Sequence, residues 1–519
     1  MDSLVKGAGL RRRDVLKGAA ALGGLLALSG PLSAQTDTPR RGGRLRLVIP
    51  YNPGSVDPMT GRNLPDFHTL FPVYDALIDF DPVSFELRPG LAKSWTFEDS
   101  KTLVLDLAED VMFHDGTPFN AAAAKFNLDR YKNDARSNIK GDLALVDTIE
   151  AAGDARLILR LSQPNSALPT MLTNRIGLMV SPALIEKNGN VDRVASGTGP
   201  FKFVEWQDNS SFRFDRSENY WRDGLPYLDG IDVRIINDLN TAARAVIIDE
   251  GDLVLNMQAP QAMIAQRSSD VATVIEPSMV MYSVFLNYGR APLDDVRIRQ
   301  ALNYAINRDE LNQVVFNGMA EASSAILPRA HWACDAETAD YYKHDPERAR
   351  ALLAEAGYPD GITLDGFGWP DQTAMRRQEV IMAQWEKAGI RVNLTPAPPP
   401  QTVQRFMQEK QGAFLISPVS AYPDPSQAYE GLFGASALRN AGGVELDGFR
   451  ALLDATTEAQ TQEERKAAFK PLQRFVIENA LQVPQFLSPG ISINRPKVRN
   501  FVNGLLTTPK FTEVWLSEG

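Results

Sequence analysis

Cysteine is almost absent. Cys334 is the only one in 519 residues, so no disulfide can form within the chain and stability must come from burial. Histidine is scarce as well: His68, His114, His331 and His344 are the four. None has a partner at metal-ligand spacing except His331 and Cys334, three residues apart, whereas a structural zinc site needs four ligands. That pair reads as a loop histidine and a buried thiol, and no metal site is expected. Excess positive charge is missing too. Lys and Arg number 54 against 64 Asp and Glu, a formal net charge of −10, which argues against nucleic acid or anionic lipid as partner. There is no Gly-x-Ser-x-Gly elbow and no Walker-type phosphate loop. Gly197-Thr198-Gly199-Pro200 is glycine-rich, but Pro200 lacks the N–H that a phosphate cradle would use. It reads as a tight turn ahead of a strand beginning at Phe201. Acidic residues are plentiful without any pairing in sequence, so enzymatic chemistry has no positive support and no cofactor is implied.

What is present starts at the amino terminus. Arg12-Arg13-Asp14-Val15-Leu16-Lys17 precedes an uncharged run from Gly18 to Ala34. A paired arginine ahead of a modest apolar stretch is the pattern of a twin-arginine export signal. The run is shorter than the ~20 residues of a spanning helix, and its glycines and small-residue end favour a signal over an anchor. Residues 1–34 are therefore set apart, with cleavage expected after Ala34 or after Ser29. They hold five basic and two acidic side chains, so their removal leaves a still more acidic chain. No later segment is long and apolar enough to cross a bilayer. The remainder is too long for one core and implies two or three lobes, and 44% hydrophobic residues suffice to fill them.

Strands and helices interleave throughout, which predicts mixed α/β lobes. Arg44–Ile49 and Thr102–Phe113 alternate as strands. Asn120 is placed to cap a helix through Tyr131. Asp294 or Asp295 caps one carrying Ile298, Ala301, Leu302, Ala305 and Ile306. Asp345-Pro346 opens a third, with Ala349, Leu352, Leu353 and Ala356 as its buried stripe and Gly357 as its stop. Gln372–Ala388 is a further helix ended by Gly389, followed by a strand at Ile390–Leu394. The prolines at 396, 398, 399 and 400 predict a stiff loop. Glu463–Asn479 is a late helix, interrupted or started at Pro471. His114, just before Asp115-Gly116, reads as a brace for that turn.

These motifs, in order, resemble those of the dipeptide, oligopeptide and nickel solute-binding proteins of bacterial ABC importers. The matching runs are Ser55-Val56-Asp57-Pro58, Pro89-Gly90-Leu91-Ala92-Lys93-Ser94-Trp95 and Val111 through Phe119. They continue with Gly197 through Phe201, Asn219-Tyr220-Trp221-Arg222, Asp295 through Leu302, Ala305-Ile306-Asn307-Arg308 and Ala349 through Tyr358. The resemblance implies an α/β, two-lobed periplasmic-binding (Venus-flytrap) fold with mixed sheets and an extra subdomain in the first lobe. It places the first lobe at 35–285 with an inserted subdomain at about 59–190, the second lobe at 286–486, and a return to the first at 487–519. The crossings fall near Ser283–Tyr288 and Pro484–Pro489.

It further implies a monomeric periplasmic receptor that encloses a small peptide-like or other organic solute. The receptor would deliver that solute to ABC permease transmembrane subunits with their cytoplasmic ATPases, after export by the Tat machinery. Trp95, Asp115 and Trp221 read as packing and turn residues. Tyr51, Trp369, Tyr422 and Tyr429 are the candidate stacking surfaces for ligand, and Asn440 a polar candidate. Peptide-binding relatives place an aspartate where this chain has Ala421, so an ordinary terminal ammonium would lack its counter-charge. Asp424, between two prolines, reads as the cap of the following segment. The alternatives are a metal-chelate receptor of nickel type and, in a different class, an exported hydrolase.

Overall fold

The computed structural model describes residues 38–61, 66–419, 422 and 424–517. Residues 1–34, expected above to be an export signal, and Ala421 lie outside the described residues.

Among the described residues the frame is an eleven-stranded mixed sheet organised by two long antiparallel strands, Ala272–Leu286 and Gln482–Asn494. At one end of this pair, Ile493 and Asn494 pair with the short strand Leu253–Val254. That strand lies parallel to Arg44–Ile49, which is parallel to Gly230–Ile235, and two antiparallel strands, Ser211–Arg216 and Phe201–Gln207, follow. At the other end, Met281–Leu286 pairs with Phe414–Val419. Ile362–Gly368 and Ile390–Pro396 continue that half in parallel. Thus only the long pair belongs to both halves. Its register breaks between Pro277 and Met281, opposite Pro489 and Leu487. The extra residues form a bulge, a device that bends a strand and ends regular pairing. Ser278 anchors it by donating its hydroxyl to the Ser488 carbonyl at 2.7 Å.

A second sheet of four strands stands apart, in the order Ala92–Asp99, Thr102–Leu107, Arg156–Leu161 and Val146–Ala151. Leu103, Leu105, Leu107, Leu157 and Leu159 bury one face of it against helix Ala121–Asn133, making a hydrophobic core of its own. Asn120 starts that helix by accepting the Ala123 N–H at 3.0 Å.

The other helices begin where side-chain acceptors meet free N–H groups. Asp295 caps Val296–Tyr304, Asp345 caps Pro346–Glu355, and Asp371 caps Gln372–Lys387. Gly357 and Gly389 take positive φ at the ends of the last two. Two sequence expectations are corrected. Helix Gln462–Glu478 runs unbroken through Pro471. A capping box between Thr461 and Glu464 starts it, and Pro471 lies on the exposed side, where water can satisfy the freed carbonyl. The proline-rich stretch also does not stay a loop. Pro399 and Pro400 sit in the first turn of Pro399–Thr402, where their missing N–H groups cost nothing, and a helical turn follows through Gln408.

The Gly197-Thr198-Gly199 run is the expected tight turn, and the reason is steric. A Cβ on Gly197 would lie 2.2 Å from the Val73 carbonyl oxygen, and one on Gly199 2.5 Å from the Val73 carbonyl carbon. His114 braces it: its Nε2 bonds the Gly199 carbonyl at 2.8 Å and its Nδ1 accepts the Gly197 N–H at 3.4 Å. Burial lowers the pKa of this imidazole to about 4. Asp115 accepts the Thr117 N–H and hydroxyl, and Trp221 donates to Asp75 at 2.7 Å.

Candidate functional site

Beside the register break lies a cavity of about 490 Å³ bordered by both halves of the sheet. Met257–Pro260 and Ile491 form the wall on one side. Tyr282, Pro418, Ser488 and Pro489 come from the strands at the break, and Trp369, Asp371 and Arg377 from the other half.

Arg377 dominates the chemistry. It sits in the second turn of helix Gln372–Lys387 and has no solvent exposure. None of its three guanidinium nitrogens has a hydrogen-bond partner. Its Cζ lies 4.5 Å from the centroid of the Tyr282 ring. Burial lowers its pKa to about 10, while Tyr282 and Asp371 work in the opposite direction. The group is therefore a cation at neutral pH. Asp371 does not bond it in this arrangement; its Oδ1 accepts the Ala374 N–H at 3.0 Å to cap the helix. A buried cation with several empty donors is costly unless something fills them. Arg377 is among the residues that border the cavity, with its guanidinium nitrogens shielded from water, and a planar guanidinium matches a carboxylate in charge and in fork geometry.

Trp369 follows the strand Ile362–Gly368, is half-buried, and turns its indole N–H to Thr402 Oγ1 at 3.3 Å. Its ring borders the same cavity. Tyr422 borders a larger cavity of about 640 Å³, together with Asn174, Ser426 and Glu430. Strand Phe414–Val419 touches the first cavity at Pro418 and leads on to Tyr422 at the second. Tyr51 is 45% exposed just past strand Arg44–Ile49 and lies close enough to Tyr282 to affect its hydroxyl.

Tyr429 and Asn440 fall elsewhere. Tyr429 is buried, with ring centroids of Phe433 and Phe469 at 6.1 and 6.2 Å, and borders a void of about 20 Å³. That void has room for roughly one water. Asn440 is buried and donates to the carbonyls of Phe433, Gly434 and Val444, pinning its own loop.

Asp424 is the cap the sequence suggests. It accepts the Ser426 N–H at 2.9 Å, and both its oxygens pair with Arg465 at 2.8 and 2.9 Å. Burial pushes its pKa up, but Arg465 and the hydrogen bonds outweigh that and hold it below the usual value. It is unavailable as a counter-charge for ligand.

His331 accepts the Ala333 N–H through Nδ1 and stacks on Phe85, and Cys334 directs its thiol to the Leu327 carbonyl. No group of three or more His, Cys, Asp or Glu that could hold a metal occurs among the described residues.

Arg377 and Tyr282 escape sequence reasoning. Arg376-Arg377 looks like an ordinary solvated pair on an amphipathic helix, and only packing shows that one of the two is buried.

The sequence model for bacterial extracellular solute-binding proteins, family 5 (middle region), matches residues 86–440. A protein called glutathione-binding protein GsiB, from Pectobacterium atrosepticum, is 33% identical over 332 residues, covering 62% of this chain and 63% of that relative. The chain thus aligns with less than two thirds of the length of that relative. Among solved structures, HbpA2 from Haemophilus parasuis superposes with a TM-score of 0.83 at 22% identity, over 91% of this chain and 100% of that one. DppA from Helicobacter pylori, an ABC transporter-associated periplasmic binding protein in complex with the peptide STSA, gives 0.75 at 23%, over 92% and 99%. Such likeness identifies the mixed α/β, two-lobed fold.

Proposed function

The chain belongs to the bacterial extracellular solute-binding proteins of family 5, and from that premise we propose that it is the receptor of an ABC importer. It captures a peptide-like solute bearing a free carboxylate between two lobes and passes it to the membrane permease. The observation that carries the ligand class is Arg377, buried, charged and without partners at the wall of the 490 Å³ cavity. The name of the GsiB relative supports a peptide-like ligand. Trp369 supplies an apolar face at this cavity, Tyr422 one at the larger cavity, and Tyr51 is kept as a further stacking candidate from the first lobe. Tyr429 and Asn440 stay outside the proposed contacts because they are committed to packing. The work is binding, orientation and exclusion of water, with no covalent step. Closure strengthens the ion pair by lowering the local dielectric.

The lobes of this proposal are 35–285, 286–486 and the return at 487–519, with an inserted subdomain at about 59–190. The crossings lie near Ser283–Tyr288 and Pro484–Pro489, and the register breaks at Pro277/Met281 and Tyr282/Ser283 support a bend in the long pair close to them. Export by the twin-arginine route, removal of residues 1–34, a periplasmic location and a monomeric state complete the reading.

Calorimetry with glutathione, a panel of tripeptides and their carboxyl-terminal amides tests it. The free acids should bind, and amidation should weaken them by tenfold or more. Arg377→Met should erase that difference. Equal affinity for acid and amide in the unmutated protein would sink the carboxylate assignment. In the same panel, Ala421→Asp should raise affinity for peptides with a free amino terminus by supplying the missing counter-charge.

A further inference from the structure

We infer that Tyr282 is a positioning residue that sets the specificity of the site: its ring holds the Arg377 guanidinium in place without neutralising it. This rests on the carboxylate reading above.

Something must keep a long, flexible cation still while its donors are empty. The usual device is an acidic neighbour, but an acidic neighbour would cancel the charge that selects an anionic ligand. The structure uses a ring instead. The Arg377 Cζ stands 4.5 Å from the Tyr282 centroid, within the range of a cation–π contact, which is stronger when water is excluded. The ring is itself fixed. Its centroid lies 5.7 Å from that of Phe316 and 5.2 Å from that of Phe486, and those two are 5.0 Å apart. Tyr282 and Phe486 are cross-strand partners in the two long strands, just past the register break. The guanidinium therefore rests on one ring of a three-ring cluster, two of whose members belong to the strands that join the halves. Such a contact spends no hydrogen-bond donor of Arg377.

The nearest competing partner is Asp371, which influences Arg377 electrostatically without bonding to it. Its Oδ1 is held by the Ala374 N–H. Removing the ring's attraction frees Arg377 to swing toward Asp371, and the pair so formed would no longer discriminate an acid from an amide.

The test is the ratio of affinities for one tripeptide and its carboxyl-terminal amide, measured by calorimetry on full-length folded variants. Tyr282→Phe keeps the ring and should keep the ratio within about twofold. Pentafluorophenylalanine at position 282 keeps the shape but reverses the charge distribution of the ring face, and should lower the ratio at least fivefold relative to Tyr282→Phe. Tyr282→Leu should lower it as well. A merely structural role would weaken both ligands together and leave the ratio unchanged. If pentafluorophenylalanine matches phenylalanine while Arg377→Met collapses the ratio, the anchor stands and the role of Tyr282 is overturned. If Arg377→Met leaves the ratio intact, the carboxylate reading itself has failed.

Discussion

Asp424 is fully buried, and both of its oxygens pair with Arg465, which is 5% exposed at its side chain. Removing one member of such a pair leaves the other charge buried and uncompensated, a loss of about 3–5 kcal/mol. Asp424→Asn should therefore lower the unfolding free energy measured in urea by that amount, and a change under ~1 kcal/mol would show that the pair matters little. The histidines give a separate, pH-dependent signal. Burial lowers His68 to about 4, His114 to about 4 and His331 to about 3, against an ordinary value of 6.5. The unfolded chain takes up protons from about pH 6.5 downward, before the folded chain does. Their contribution is thus full above that pH and is lost progressively as the pH falls toward 4 and 3. Asp424 adds its own acid loss only below about 3.8. The melting temperature should be flat above pH 7 and fall between pH 6.5 and 4, with a shallower fall in His331→Gln. A rise on acidification through that window would contradict the burial of these rings.

At the scale of elements, the turn Gly197–Gly199 lies against the Val73–Tyr74 backbone. What a new Cβ would meet at Gly199 is main chain rather than the tip of a flexible side chain, so relief requires moving strand Phe201–Gln207. Gly199→Ala should cost about 1–3 kcal/mol, as overpacking does, and an unchanged unfolding midpoint would refute the close approach. The caps at Asn120, Asp295 and Asp345 were legible in the sequence because capping needs only a local acceptor and the next two or three residues. The path of the helix through Pro471 was not. A proline halts a helix or is tolerated according to which side faces solvent, and that is decided by what packs on the opposite face.

At the scale of the whole molecule, the four-stranded sheet's side of the structure meets the far half directly. Ser166 donates its N–H to the Thr457 carbonyl at 2.9 Å and its hydroxyl to the Thr456 carbonyl at 3.3 Å. These two bonds join segments far apart in the chain, and the long strands carry a bulge at Pro277–Met281. A ligand that touches both halves favours closure over opening. Scattering should show a smaller radius of gyration with saturating tripeptide than without. The same ligand should stabilise the fold by about 2.7 kcal/mol at a hundred times its Kd. Tight binding with neither compaction nor stabilisation would exclude a clamp.

The sequence by itself determined the alternation of strands and helices, the helix starts, the turn around Gly197–Gly199 and the ordered motifs that carry the family. All of these depend on residues close together in the chain. Trp369 and Tyr422 could be nominated the same way, as aromatics beside strand ends. Only the tertiary structure decided that Arg377 is buried while its neighbour Arg376 is exposed, that Tyr282 lies beneath it, and that Tyr429 is buried among rings while the Asn440 amide N–H groups bond within their own loop. The physical reason is that burial and partnership are properties of what another segment brings up. Arg377 and Tyr282 are far apart along the chain, and the long strands that set their meeting are paired across some two hundred residues.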